Sequence, residues 1–191
     1  MKHIIGVIVL VAVITLAAWA WLSQGFDSLL PLRDSEEAYY VDRLFGMQLY
    51  VIAFLFALII GFMLYSFVVF RQKRGETEDG QYFHGNTTLE VFWTIIPLGI
   101  VLYFAVLGAR YLVEISAPEP DELVVSVIGS QWNWRFDYPE YGISSAELLL
   151  PRSRQTRLEL TSIDVIHSFW VPEFRVKQDA VPGRFTSLWF R

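Results

Sequence analysis

Cysteine is absent from this chain, and with it any disulfide framework. Methionine is scarce at three residues, none of them after Met63, so the second half offers no soft sulfur donor of the kind copper sites draw on. Histidine occurs only at His3, His84 and His167. Positive charge is also in deficit. Fifteen Lys and Arg against 20 Asp and Glu leave a net charge of −5, which argues against nucleic acid as a partner and suits a basic protein partner. No internal repeat and no low-complexity segment interrupts the 191 residues.

What the chain has instead is apolar length. Hydrophobic residues make up 54% of it and concentrate in three runs, 4–22, 47–70 and 91–113. A span needs about 20 such residues to cross the hydrocarbon layer, so the second and third runs predict transmembrane helices. The first, behind Lys2 and with small residues at Ala18 and Ala20, reads either as a secretory signal peptide or as a first transmembrane helix. Basic residues set the orientation. Arg71, Lys73 and Arg74 flank the second run, whereas 23–46 holds five acids and two basic residues. The positive-inside rule therefore puts 71–88 in the cytoplasm, with 23–46 and everything after the third run, 89–113, on the outer side.

From 116 onward the pattern becomes short and alternating. Trp132, Trp134, Phe136 and Tyr138 alternate with Asn133, Arg135 and Asp137, the period-two mark of a half-buried strand. Further strands are expected at 123–128, 157–161, 165–171 and 185–190, with turns at 139–142 and Pro182-Gly183. Several short strands at this spacing predict an all-β sandwich or barrel over 116–191. The chain stops within a strand-like run, so the domain is expected to be incomplete at its C-terminus.

Three segments carry chemistry. In Asp164-Val-Ile-His167-Ser-Phe-Trp-Val-Pro172, followed by Lys177-Gln-Asp179-Ala-Val-Pro182-Gly183, a lone histidine sits in an apolar strand. By spacing alone it is a packed residue, since copper needs several converging donors. In Gly129-Ser-Gln-Trp132-Asn-Trp134-Arg-Phe-Asp-Tyr138 the aromatic residues Trp134, Phe136 and Tyr138 read as core. In Thr87-Thr-Leu-Glu90-Val-Phe-Trp93-Thr94-Ile-Ile-Pro97, Thr87 and Glu90 read as a capping box, with the acid favoured by the helix dipole.

Taken together and in this order, the three segments resemble cytochrome c oxidase subunit II. The resemblance implies a membrane hairpin of two or three helices carrying a cupredoxin-like sandwich on the periplasmic side of a bacterial inner membrane. It implies that His167 ligates a dinuclear copper centre whose other ligands come from a cysteine-containing loop expected beyond Arg191. Trp132 takes the position of the tryptophan that accepts electrons from cytochrome c. Many members of the family have histidine where Ser130 stands. Asp137 and Asp164 match positions that help dock cytochrome c, and Glu140 lies nearby. Glu90 matches a glutamate at the mouth of a proton-uptake channel of subunit I. The implied work is electron relay from cytochrome c toward the haem of subunit I, where oxygen is reduced and protons are pumped, with no haem in this chain. Two other readings stay open: a copper-free quinol oxidase subunit II, which the missing cysteines would suit, and a non-redox structural subunit bracing subunit I.

Overall fold

The computed structural model describes residues 2–25, 28–72, 74–75, 77, 80 and 82–191. Lys73, one of the basic residues behind the expected orientation, lies outside them. Among the described residues three helices are long and apolar enough to cross a membrane: α1 Lys2–Gly25, α2 Glu36–Val69 and α3 Thr87–Ile115. Seven strands follow: β1 Leu123–Ser130, β2 Asn133–Tyr138, β3 Ile143–Ser145, β4 Thr156–Ser162, β5 His167–Val171, β6 Val176–Ala180 and β7 Thr186–Phe190. The chain divides into two compact units. One joins Met1–Leu29 with Phe45–Val106, and the other joins Leu30–Leu44 with Leu107–Arg191.

In the first unit α1 runs antiparallel to α2. His3 meets Tyr65 near one end, and Trp19 meets Tyr50 near the other. The portion of α3 in this unit buries no residue.

The second unit is built on a five-stranded sheet in the order β3-β2-β1-β4-β7, with a two-stranded ribbon, β5-β6. β1 and β4 are parallel and the other pairs antiparallel. Alternation decides what enters the core. Leu123, Val125 and Val127 of β1 and Leu158 and Leu160 of β4 are buried, together with Phe136 and Tyr138 of β2, Phe169 of β5 and Phe190 of β7. At Val181–Arg184 the Arg184 amide donates to the Val181 carbonyl. Pro182 is at the second position, and Gly183 at the third has φ +71, a conformation L side chains rarely adopt. Tyr138 donates its hydroxyl to the Leu149 carbonyl and accepts the Leu149 amide, pinning the loop after β3.

α2 begins well before its apolar run, at Glu36 rather than near 47. Ser35 caps it, its Oγ accepting the Ala38 amide at 3.1 Å, and Glu36 and Glu37 occupy the first turn. These first turns are held by the β domain. Ser35 Oγ donates to the Phe174 carbonyl, Asp34 N to the Glu173 carbonyl and Glu36 N to the Arg191 carbonyl. Arg175, in the left-handed region at φ 59, sends Nε and Nη2 to the two Asp42 oxygens, Nη1 to Pro172 O and Nη2 also to Pro31 O.

Candidate functional site

β1 and β2 pair with Ser130 opposite Asn133, which leaves Gln131-Trp132 as a two-residue hairpin loop. That loop takes Trp132 out of the expected strand alternation. Trp134 is half-buried and Phe136 and Tyr138 are buried, but Trp132 leaves the strand and stands 90% exposed. Because β2 begins at Asn133, one residue after Trp132, the tryptophan falls outside the alternation.

His167 opens β5 with its ring turned inward beside Phe169. Its imidazole lies edge-on to Trp134 at 5.8 Å between ring centroids. Gly129 makes that approach possible. A Cβ there would stand 3.0 Å from Trp134 Cζ3 and 3.1 Å from His167 Cδ2. From the sequence, Gly129 and Gln131 were named only as parts of the tryptophan segment and Trp134 only as core, so none of the three was assigned to the site. The one available signal was the glycine standing three residues before Trp132.

Asp164 ties the histidine to the tryptophan loop. Its Oδ1 lies 2.7 Å from His167 Nε2, and its Oδ2 accepts the Gln131 amide at 2.7 Å. Oδ1 also receives Ser162 Oγ and the Val165 amide. The His167 ring, followed by the Gln131 amide, holds the Asp164 carboxyl well below the usual carboxylate range. Because a carboxylate only accepts, this contact needs a proton on Nε2, and in the neutral tautomer Nδ1 is then the nitrogen with the lone pair. The other acids are engaged too. Asp137 pairs with Arg135 at 3.2 Å and accepts Ser144 Oγ at 2.6 Å. Glu140 pairs with Arg154 at 2.9 Å, which lowers its pKa.

Glu90 belongs to the other unit and is exposed in the first turns of α3. The cap here is Asn86, whose Oδ1 accepts the Leu89 amide at 3.1 Å, so Thr87-x-x-Glu90 is not a capping box. The Glu90 carboxylate folds back toward Gly85, where a Cβ would lie 2.9 Å from Oε1 and φ is +123.

The residues 27–110 match the family model described as cytochrome c oxidase subunit II, transmembrane domain, and 143–191 match the one described as its periplasmic domain. Cytochrome c oxidase subunit 2 of Thermostichus vulcanus is 32% identical, the match covering 91% of this chain and 68% of the relative. The chain belongs to the cytochrome c oxidase subunit II family. It is thus a multi-pass membrane protein and a subunit type of an oxidoreductase complex. Subunit 2 of Synechocystis sp. is 29% identical, over 95% of this chain and 68% of its own length. The crystal structure of the periplasmic domain of subunit II from Bradyrhizobium japonicum is 33% identical over 39% of this chain and 65% of that one, with a TM-score of 0.36.

Membership in the subunit II family implies copper, and the side chains test that directly. The His167 imidazole suits a metal, since Asp164 fixes its tautomer and orientation as outer partners of metal-bound histidines do. The donor set does not suit it. No three His, Asp or Glu side chains converge among the described residues, and the sequence has no thiolate. Residues 1–191 bring one imidazole, that of His167, to this site and do not by themselves hold a dinuclear copper.

Proposed function

We propose that this chain is the donor-facing part of subunit II of a proton-pumping cytochrome c oxidase in a bacterial inner membrane, with its β domain on the periplasmic side. Reduced cytochrome c docks on the β domain, and Trp132 accepts its electron. The observation that carries this reading is the Asp164 bridge, which ties the loop bearing the 90% exposed Trp132 to the His167 ring through two 2.7 Å contacts. An exposed indole offers a donor haem a surface contact, and a rigid loop keeps that contact at a fixed distance from the imidazole.

In this reading Asp164 is a positioning residue more than a free docking charge, because its two oxygens are engaged inside the protein. Asp137 lies on the outward face of β2 with Arg135 and contributes to docking, with the rate of association more sensitive to it than the final affinity. Copper enters the reading only through His167, and its remaining donors would have to come from outside residues 1–191. Glu90 serves as a proton inlet. An exposed carboxylate at a membrane edge is suited to collecting protons, and the partner there is subunit I.

The test is steady-state oxidation of reduced cytochrome c by the assembled complex carrying Trp132→Ala. Turnover should fall by roughly tenfold or more with KM nearly unchanged, the signature of a lost transfer step. Wild-type turnover in the variant would overturn the role of Trp132. Preference of the complex for quinol over cytochrome c, with no copper in the full subunit, would replace the whole reading by the quinol oxidase one.

A further inference from the structure

The matched transmembrane family model starts at residue 27, so α1 lies outside it. α1 nevertheless has a built partner. Its buried residues Val11, Thr15 and Leu22 recur at intervals of four and seven, one face of a helix. Val11 of that face meets Gly61 of α2, and Ala57, one turn before Gly61, is buried as well. Small residues at this spacing let two membrane helices approach closely. The fit at Gly61 is tight, since a Cβ there would lie 2.6 Å from Val11 Cγ2. The arrangement is reciprocal at Gly6, where a Cβ would lie 2.8 Å from the Tyr65 ring.

Polar contacts close both ends of the pair. His3 Nδ1 lies 3.0 Å from Tyr65 Oη, and Trp19 Nε1 donates to the Tyr50 carbonyl at 3.0 Å. In hydrocarbon such bonds have no water to compete with them. Trp19 sits between Ala18 and Ala20, the small residues that would make a leader cleavable, and this segment is helical with its indole engaged. The apolar run 4–22 also exceeds the roughly 7–15 residues of a signal-peptide core. His3 also lies near Phe70, which brings Lys2 to the same end of the pair as Arg71, an orientation that a leader and a permanent helix share.

We propose that α1 is a resident third transmembrane helix of the mature subunit, seated in the Ala57/Gly61 notch of α2, and not a leader removed after export. The pair covers Gly61 of α2, which has no side chain of its own to fill the space that Val11 occupies.

Two measurements on the full chain in bacterial membranes test this. The first is intact mass with N-terminal sequencing of the unsubstituted subunit, which should retain α1. A mature chain beginning after Ala20 overturns the proposal. The second uses the absence of native cysteine. Position 61 would place its Cβ 3.7 Å from that of Val11, within the roughly 3.5–4.5 Å that a disulfide spans. Oxidised Val11→Cys/Gly61→Cys should lose both thiols to maleimide labelling. The pair Val13→Cys/Gly61→Cys, with residue 13 on the exposed side of α1, should keep them. Equal labelling of the two pairs, in a chain that retains α1, overturns the notch as its seat.

Discussion

The Arg175–Asp42 pair makes the sharpest energetic prediction. Both side chains are largely out of water, with 8% and 15% of their area exposed, and Nε to Oδ1 is 2.8 Å. Four contacts use the guanidinium: two to Asp42, one to Pro172 O and one to Pro31 O. Asp42→Asn leaves the carbonyl contacts in place but removes the counter-charge. Stranding a buried cation in this way costs ~3–5 kcal/mol. For a unit of about 100 residues, where ~1 kcal/mol shifts the midpoint by roughly 4–8 °C, the melting temperature should fall by at least ~10 °C. The double variant Asp42→Leu/Arg175→Met removes both charges and replaces them with apolar volume, so it should be more stable than Asp42→Asn alone. The assay is thermal unfolding of the full chain in detergent, followed by tryptophan fluorescence and completed as a double-mutant cycle with Asp42→Leu and Arg175→Met. A shift below ~2 °C for Asp42→Asn, or a cycle additive to within ~0.5 kcal/mol, would refute the reasoning.

Three further outcomes are expected. Gly129→Ala forces Trp134 or the His167 ring to move by some tenths of an ångström and should destabilise the domain by ~1–3 kcal/mol in denaturant unfolding, with a change in tryptophan emission. Asn86→Ala removes the cap of α3 and should lower stability by ~0.5–2 kcal/mol, whereas Thr87→Ala should have much less effect in the same melt. Asp164 is held below its ordinary value of 3.8 in the folded chain, so its stabilising contribution is present above that value and fades as the pH drops through the lower, folded-state one. The gap in melting temperature between wild type and Asp164→Asn should accordingly be full near neutrality and close in strong acid. A gap that widens as the pH falls would contradict the assignment.

The membrane helices and most strands were legible because each rests on a local period. Continuous apolar runs mark α2 and α3, and alternation marks β2 from Trp134 to Tyr138. What escaped depended on partners remote in sequence. Residues 36–46 are too polar to read as part of a span, and they are helical because Ser35 caps them and because 173–191 bind them. The same holds at the candidate site. The motif picked out His167 and Trp132 as candidates, but the alternation placed Trp132 on a strand that begins only at Asn133, one residue later. Asp164 was legible as a surface acid, and its contact with Gln131, 33 residues away, was not. The Asn86 cap was missed because Thr87 one residue later satisfied the same pattern with Glu90.

The ties between the start of α2 and the end of the β domain have a consequence for the order in which the chain can be made. The amide of Arg191 donates to Glu37 across 154 residues, and Arg175 reaches Asp42 across 133. At roughly 5–20 residues per second, a ribosome needs ~8–30 s to supply the later partner after the earlier one has emerged. Through that interval the apolar part of α2 can already be in lipid, while its first turns have only Ser35 to hold them. The N-terminal end of this helix is therefore finished last, by residues translated after β1 to β5, and a ribosome that stalls before 173 leaves the helix inserted but unfastened.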